Sequence, residues 1–452
     1  VSSDEHQAVL RAHRALPLTR TVSFRNRPFG LFDPSKKRRP RRPGGSNEGE
    51  DPLSDARRRI PSGRMRGIIM KSLLVRGGEV FAPDPLGKKD VLVFGRTIHS
   101  ICDDIPEEAL RRIDAGLDVI DARGCCVVPG LVDQHIHING AGGEGGPEYR
   151  TPPVTAGTLF RAGITSVVGM LGTDGAGRSL QELLMKALGL DREGVSAWIL
   201  TGAYQLPGPT ITGSILGDMM SIEKVTGAKM AVSDHRGSHP TPETLRWTIS
   251  EARRGGILSG KGGVSVVHMG EERTGLRPLY EALKETDIPP SQVLPTHCGR
   301  SAALLDEAVE WALRGGCLDI TASGGGSRTG TSLAAPDAVG RCLEAGVPVE
   351  RISMSTDGNG SLPSFNERME FIGMGVGNPA SLHEMTAELA LRRGLPLEHA
   401  LALCTRNPAK RMRLHGKGEL KAGADADILI LGRDSLDIRT VVSRGETVVL
   451  DG

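Results

Sequence analysis

Residues 129–138 read PGLVDQHIHI, an apolar run that follows a Pro-Gly turn and carries a His-x-His pair near its end. In a strand, alternate side chains point to the same face, so we expect His135 and His137 to project together. Two imidazoles in this arrangement can bind one divalent metal ion. A lone His-x-His pair is weak evidence, because buried histidines that hydrogen bond the backbone are common.

Apolar, β-rich runs alternate with helical patterns through the middle of the chain. The runs are 131–138, 165–171, 197–203, 229–233, 264–268, 293–296, 318–321 and 352–355. Eight β/α units over roughly 250–280 residues predict an α/β fold, a (β/α)8 TIM barrel, at residues 131–409. Catalytic residues of such barrels lie at the carboxyl ends of the strands. Four histidines occupy those positions in three separate units, and they are His135, His137, His268 and His297.

Short strands with glycine turns occur on both sides of the predicted barrel. They cover 73–81, 90–93 and 119–122 before it, and 427–431, 441–442 and 447–450 after it. This pattern is typical of antiparallel strands joined by hairpins. We therefore predict a small β-sandwich domain formed from both chain ends, with its first part at 67–130 and its second part at 410–452.

The charge of the chain is unevenly distributed. Residues 1–66 hold 16 of the 56 Lys and Arg but only 7 of the 54 Asp and Glu, so the remainder is mildly acidic. The arm cannot pack a core, and we predict that 1–66 is a disordered, dispensable basic N-terminal arm. An acidic body argues against nucleic-acid binding, which only the basic run at Lys36–Arg42 would support.

The composition also indicates the cellular compartment of the protein. No stretch approaches the ~18 consecutive apolar residues of a membrane helix, and the N-terminus lacks the apolar core of a secretory signal. The seven cysteines are scattered and show no C-x-x-C spacing, which favours a reducing compartment. We expect a soluble cytoplasmic protein that does not bind membranes.

Two further residues extend the candidate metal site. Asp357 follows the run at 352–356, and Lys229 begins the run at 229–233. A lysine inside an apolar barrel is costly unless it is paired or neutral, although spacing alone fits a surface lysine equally well. Beside four histidines and an aspartate, Lys229 is better explained as a bridging ligand. A neutral amine can take up CO2 and present the two oxygens of a carbamate to two metals.

Seven segments carry a resemblance to a known family. They are PGLVDQHIH at 129–137 with GGE at 142–144, TSVVGMLGTD at 165–174, LTGAY at 200–204, SDHR at 233–236, HMG at 268–270, LPTH at 294–297 and STDGNGS at 355–361. From about Met70 to Gly452 the chain resembles the isoaspartyl dipeptidase family of the amidohydrolase superfamily. The resemblance implies the barrel with its flanking sandwich, two zinc ions, a carboxylated lysine and a cytoplasmic homo-oligomer, commonly an octamer.

The resemblance implies a role for each candidate metal ligand. His135 and His137 would bind the buried zinc together with Asp357. His268 and His297 would bind the exposed zinc. Carboxylated Lys229 and a hydroxide would bridge the two ions, and the hydroxide would attack the amide with Asp357 as general base and then acid. Two metals ~3.5–4 Å apart can lower the pKa of a shared water towards ~7.

The implied substrate is a β-aspartyl dipeptide, which carries one amino and two carboxylate groups and releases L-aspartate and an amino acid. The resemblance assigns the amino group to Glu144, the carboxylates to Arg236 and Arg300 with Ser361, and the oxyanion to Tyr204. Gly142, Gly143 and Thr173 would add backbone or hydroxyl contacts. The match weakens at Gly373–Pro379 and Gly324–Ser332, which leaves the preference for the leaving residue open.

Two alternatives belong to other functional classes. A cyclic-amide amidohydrolase of the dihydroorotase or hydantoinase type would need no acid for a free amino group, so Glu144, Tyr204 and Arg236 argue against it. A metal-free structural homologue would retain the barrel only for assembly. All six metal-ligand positions are intact, which argues against that second alternative.

Overall fold

The computed structural model describes residues 71–324, 332–368 and 370–448. The predicted arm at 1–66 lies outside these residues, as does most of Gly324–Ser332. The first described elements are β1 (Ser72–Phe81), β2 (Pro85–Phe94), β3 (Thr97–Cys102), α1 (Glu107–Ile113), β4 (Asp118–Asp121) and β5 (Cys125–Pro129). Consecutive residues are buried in three of these strands, at 72–75 in β1, 90–93 in β2 and 126–129 in β5.

The middle of the chain alternates strands and helices as the sequence pattern predicts. The elements are β6 (Leu131–Ile136), α2 (Ala156–Arg161), β7 (Ile164–Gly169), α3 (Leu180–Arg192), β8 (Ser196–Gly202), α4 (Ile215–Ser221), β9 (Val225–Val232), α5 (Pro242–Ser259), β10 (Val264–Met269), α6 (Arg277–Leu283), β11 (Val293–Thr296), α7 (Ala302–Leu313), β12 (Leu318–Thr321), α8 (Ala335–Glu344) and β13 (Ile352–Ser355). Serine and threonine side chains cap the first turns of five of these helices, at Thr155, Ser179, Ser214, Thr241 and Ser301.

The last part of the chain adds a hairpin, three helices and three strands. They are β14 (Ser361–Phe365), β15 (Phe371–Val376), α9 (Ser381–Leu391), α10 (Leu397–Ala402), α11 (Arg406–Met412), β16 (Ile428–Gly432), β17 (Ile438–Ser443) and β18 (Glu446–Val448). No helix in the described ranges combines the length and the apolar character needed to cross a bilayer.

Both chain ends contribute to one eight-stranded sheet. Its order is β18-β17-β16-β5-β1-β2-β3, and β4 pairs with β1. Strand β16 lies antiparallel to β5, with Ile428 opposite Pro129. Apolar side chains from both ends share one buried cluster, which includes Val75, Val91 and Ile430. These strands form a single sheet, so the two-layered sandwich and the domain limits at 67–130, 131–409 and 410–452 stay predictions.

The strands between the two halves of that sheet run parallel. Strands β6 to β11 form one six-stranded sheet in sequential order, and β12 pairs with β13. A parallel bridge between Ile136 and Gly358 then joins the chain after β13 to β6, where the Asp357 amide donates to the His135 carbonyl at 3.0 Å. The parallel α/β architecture is confirmed, and its strand order is the one that a TIM barrel requires.

Side chains connect the strands where backbone ladders are missing. Among the described strands, no ladder joins β11 to β12 or β13 to β6. At the β11–β12 and β6–β13 junctions, Asp319 of β12 accepts hydrogen bonds from Gln134 of β6 (2.8 Å), Thr296 of β11 (2.7 Å), and Ser353 and Ser355 of β13 (2.9 and 2.6 Å). A buried carboxylate surrounded by four donors thus links all four strands.

A second buried charge ties the terminal sheet to the barrel. The Lys417 side chain is 2% exposed, and its ammonium lies 2.7 Å from a carboxylate oxygen of Asp425 and of Asp427. It also donates to the hydroxyl of Ser196, at the start of β8, at 2.7 Å. The three acceptors satisfy the three donors of the ammonium.

We predict that Lys417→Met lowers the free energy of unfolding by about 3–5 kcal/mol, because it leaves the buried Asp427 carboxylate without its counter-ion. The midpoint of urea unfolding measures this change. Lys421→Met is the matched control, because the Lys421 side chain is 65% exposed and pairs only at the surface; it should shift stability by less than about 0.5 kcal/mol. Equal effects of the two variants would contradict the prediction.

Candidate active site

Two histidines, a lysine and an aspartate meet at the carboxyl end of the barrel. His135 is the penultimate residue of β6, and His137 is the first residue after the strand. The Lys229 ammonium nitrogen lies 3.1 Å from His135 Nε2, and Asp357 Oδ1 lies 3.0 Å from His137 Nε2 and 3.7 Å from His135 Nε2. The four side chains are buried. The strand alternation that predicted a shared face for the histidines is therefore realised.

His297 adds an unsatisfied nitrogen to this cluster. It follows β11 with a positive φ of 64°, and Asp357 follows β13 with a φ of 53°. Such conformations are rare for residues with a side chain and occur often at functional sites. His297 Nδ1 lies 2.6 Å from the Thr321 hydroxyl, whereas its Nε2 is buried without a hydrogen-bond partner among the described residues.

The donor set fits a divalent metal. Ligand atoms of His135, His297 and Asp357 lie within 4.8 Å of one another, and all three residues are buried. Imidazole nitrogens and a carboxylate oxygen are the usual ligands of zinc in catalytic sites. A buried nitrogen that lacks a partner, such as His297 Nε2, is explained when an ion binds there.

His268 occupies a different position from the one expected of a metal ligand. It lies in β10, with its ring centroid 4.5 Å from that of His297. Its Nδ1 is 2.6 Å from the Tyr204 hydroxyl and its Nε2 is 2.8 Å from Asp234 Oδ2. Both ring nitrogens are thus engaged, and to bind a metal His268 must release one of these partners.

Burial sets the charge of the candidate ligands. It lowers the pKa of His135, His268 and His297 well below the ordinary value of a histidine. Burial also lowers the pKa of Lys229 to about 7. The imidazoles are therefore neutral near pH 7, and a large fraction of the lysine amines is too. Neutral imidazole is the form that binds metals, and a neutral amine is the form that can react with CO2.

Glu144 lies beside this cluster with one oxygen satisfied and one unsatisfied. Its Oε1 accepts hydrogen bonds from the Thr173 hydroxyl (2.8 Å), Arg236 (3.2 Å) and the Ser361 hydroxyl (3.1 Å). Its Oε2 is buried and has no partner among the described residues, and the side chain is only 10% exposed. A buried carboxylate oxygen without a donor is available to a ligand that carries one.

The two expected glycines shape the loop that carries Glu144. Gly142 has a φ of +81°, and a Cβ there would lie 3.0 Å from the Tyr149 carbonyl oxygen and 3.1 Å from the Cβ of Ser361. The missing side chain lets the loop approach the hairpin closely. Gly143 has a φ of +112° and lines a surface depression together with Gly142 and Glu144.

Asp234 is a site residue to which the sequence analysis assigned no role. It receives two hydrogen bonds from the Arg236 guanidinium (3.0 and 2.8 Å), and Arg300 Nη1 lies 3.8 Å from its Oδ2. Burial opposes its charge, but the hydrogen bonds from His268 and Arg236 hold the pKa of Asp234 well below its usual range. Its position two residues after the end of β9 and two residues before Arg236 was the available signal.

The pairing of β14 with β15 was not predicted, although Ser361, the first residue of β14, was predicted as a site residue. Ser361, Leu362, Pro363 and Phe365 line the pocket that contains Tyr204, Arg236, Arg300 and Asp357. The Phe365 ring contacts His235 edge to face at 5.2 Å. The Gly-rich sequence at 373–379 hid this strand pairing, because glycine has low strand propensity.

The structure therefore brings the predicted site residues to one end of the parallel strands. The metal candidates lie beside the carboxylate-binding candidates, and His268 connects the two groups through Tyr204 and Asp234. The fold and the site define an α/β enzyme whose active site lies at the carboxyl ends of its strands and contains a candidate metal site.

Comparisons with known proteins identify the family to which this enzyme belongs. An amidohydrolase family model matches residues 324–452. The β-aspartyl dipeptidase of Fervidobacterium islandicum AW-1, solved with a β-Asp-Leu dipeptide, is 37% identical with a TM-score of 0.76 over 83% of this chain and 96% of that chain. A second structure of that dipeptidase is 35% identical, with a TM-score of 0.74 over the same shares. The chain belongs to the β-aspartyl dipeptidase family of the amidohydrolase superfamily, and it is a hydrolase that acts on peptide bonds.

Other relatives match a shorter part of the chain or have lower sequence identity. A dihydroorotase of Staphylococcus aureus (strain MRSA252) is 34% identical over 100 residues, which span 22% of this chain and 22% of that enzyme. Dihydropyrimidinase from Brevibacillus agri is 19% identical with a TM-score of 0.56 over 84% of this chain and 95% of that chain, which shows the fold alone. The predicted family is thus confirmed, while the assignment of individual residues rests on the geometry above.

We predict that zinc stabilises the chain through the buried cluster. A free zinc concentration 100 times the dissociation constant should raise the free energy of unfolding by about 2.7 kcal/mol, seen as a higher melting temperature. The double variant His135→Ala/His297→Ala should lose this shift. His415→Ala, at an exposed position, is the control that should retain it. An undiminished shift in the double variant would show that zinc binds elsewhere.

Proposed function

We propose that this chain hydrolyses β-aspartyl dipeptides and releases L-aspartate and an amino acid. The observation that carries the proposal is the buried Glu144 Oε2, which lacks a hydrogen-bond donor. A β-aspartyl dipeptide carries a free α-ammonium group that would supply this donor. Cyclic amides such as dihydroorotate and hydantoin have no ammonium group. Glu144 therefore favours a β-aspartyl dipeptide over the cyclic amide that the partial match to a dihydroorotase would suggest.

The charges of the pocket match those of the proposed substrate. Glu144 would bind the ammonium group, while Arg236 and Arg300 would bind carboxylates with the help of the Ser361 hydroxyl. Asp234 keeps the Arg236 guanidinium in place through two hydrogen bonds, so that the cation is oriented before the substrate arrives. Charge-assisted pairs of this kind are the stronger class of hydrogen bond.

In this proposal the metal centre contains two zinc ions. His135, His137 and Asp357 would hold one ion, and His268 and His297 the other, once His268 exchanges one of its present partners. Lys229 would bridge them as a carbamate, formed when its neutral Nζ bonds to the carbon of CO2 and loses a proton. When bound, the ions supply an activated water at neutral pH and polarise the scissile carbonyl.

Two side chains would handle protons during the reaction. Asp357 would take a proton from the attacking water on a carboxylate oxygen and return it to the leaving nitrogen. Burial raises the pKa of Tyr204, so its phenol stays protonated and can donate to the oxyanion that develops on the carbonyl oxygen. Tyr204 lines the same pocket as Asp357 and Arg236.

The proposal extends to the setting of the enzyme. We propose a cytoplasmic homo-oligomer, an octamer by family resemblance, that acts on a small peptide and binds neither nucleic acid nor membrane. All seven cysteines are free thiols, as a reducing compartment would keep them.

A direct assay tests the proposed activity. Zinc-loaded protein should cleave β-Asp-Leu, and chelation should abolish the cleavage. α-Asp-Leu, dihydroorotate and hydantoin should remain intact. Turnover of dihydroorotate or hydantoin without turnover of β-Asp-Leu would replace the proposal with the cyclic-amide alternative. Purified protein that binds no metal would favour a structural homologue.

We predict that Glu144→Gln lowers kcat/KM for β-Asp-Leu by about 10- to 150-fold, since a charged hydrogen bond of about 1.5–3 kcal/mol is lost. Steady-state kinetics measures the change. Glu148→Gln, an exposed carboxylate in the same loop, is the matched control and should keep wild-type kinetics. A Glu144→Gln variant with unchanged kcat/KM would refute the role of Glu144 in binding the ammonium group.

We predict that Lys229→Ala lowers kcat by more than about 100-fold, because a metal-bridging group is lost. Acetate or propionate at high concentration should restore part of the activity by supplying two oxygens in the vacated space. Lys224→Ala, just before the same strand, is the control and should stay active without added acid. Full activity of Lys229→Ala in the absence of acid would eliminate the bridging role.

A further inference from the structure

A buried hydroxyl and a buried acid lie behind His135, on the side away from Asp357. The Thr296 hydroxyl oxygen is 3.2 Å from His135 Nδ1 and 2.7 Å from Asp319 Oδ2. His135 is 1% exposed, and Thr296 and Asp319 are fully buried. None of the roles proposed above uses Thr296 or Asp319.

The number of available protons decides the direction of these hydrogen bonds. Both oxygens of Asp319 face donors, which come from Gln134, Thr296, Ser353 and Ser355. A threonine hydroxyl has one proton and can also accept. If that proton is donated to Asp319, the Thr296 oxygen can only accept from His135. The proton of the neutral imidazole then resides on Nδ1, and the lone pair resides on Nε2.

His135 Nε2 is the nitrogen that faces the proposed metal site. It lies 3.1 Å from the Lys229 ammonium nitrogen and 3.7 Å from Asp357 Oδ1. His137 obtains the same tautomer by a simpler route, since its Nδ1 lies 3.1 Å from the Met170 carbonyl oxygen, which can only accept. The tautomer of His135 depends instead on two side chains, and substitution can remove them.

We propose that Asp319 and Thr296 are positioning residues that fix His135 as the Nδ1–H tautomer and so make Nε2 its metal-binding atom. The inference rests on the proposed metal site, although it does not depend on the identity of the substrate. Hydrogen-bond partners of metal-binding histidines commonly contribute 10- to 100-fold in metal affinity. We therefore expect a loss of this size when the Thr296 hydroxyl is removed.

The test compares the zinc affinity of full-length variants by competition with a chromophoric chelator at constant pH. Thr296→Val keeps the shape of the side chain and removes the hydroxyl, and it should bind zinc about 10- to 100-fold more weakly than the wild type. Thr296→Ser keeps a hydroxyl and should restore most of the affinity. Cobalt substitution adds an absorption spectrum that reports ligand geometry and should change in Thr296→Val alone.

Ser353→Ala is the matched control. It removes a hydrogen bond to Asp319 at 2.9 Å, and Ser353 forms no hydrogen bond with a histidine among the described residues, so the variant should keep wild-type zinc affinity. Wild-type affinity in Thr296→Val, or an equal loss in Ser353→Ala, would overturn the inference. The assay with β-Asp-Leu separates this result from the function: zinc-bound wild type that fails to cleave it would refute the proposed substrate and leave the affinity comparison valid. A wild type that binds no zinc would overturn both.

Discussion

The buried carboxylate of Asp319 is the interaction on which both the barrel and its site depend. Asp319 of β12 accepts one hydrogen bond from β6, one from β11 and two from β13, and backbone ladders between β11 and β12 and between β13 and β6 are absent among the described strands. Removing a carboxylate from water is costly, and here four donors offset that cost. The same hydrogen bonds reach His135 through Thr296. The Asp319 carboxylate therefore both connects the strands and orients a candidate metal ligand.

In the pocket, too, buried acids orient a functional side chain. Asp234 and Glu144 each accept from Arg236, so two buried acids fix one guanidinium before any ligand binds. The difference between the acids is that the oxygens of Asp234 are satisfied within the protein, whereas Glu144 keeps one oxygen unsatisfied. A buried acceptor without a partner favours ligands that carry a donor at that point, because any other ligand leaves the acceptor unsatisfied.

Much of this arrangement could be predicted from the residues in chain order. Parallel strands expose their carboxyl ends on one face, so histidines at the ends of different strands had to meet. The side chain of Lys229 could be recognised only together with those histidines, since its spacing alone fits a surface residue. Asp319 went without a role because its hydrogen-bond partners come from three other strands, and Asp234 went without one because its contact with His268 forms only in the folded chain. The hairpin of β14 and β15 was hidden by its glycines.

The sequence by itself determined the alternation of strands and helices, the family, and the set of chemical groups at the strand ends, because periodicity and motif spacing are local properties. Only the tertiary structure decided how those groups are connected. It placed His268 between Tyr204 and Asp234, left one oxygen of Glu144 without a donor, and joined His135 to Asp319 through Thr296. A hydrogen bond such as that of Ser361 with Glu144, which are 217 positions apart, depends on distances and burial that exist only once the strands have assembled.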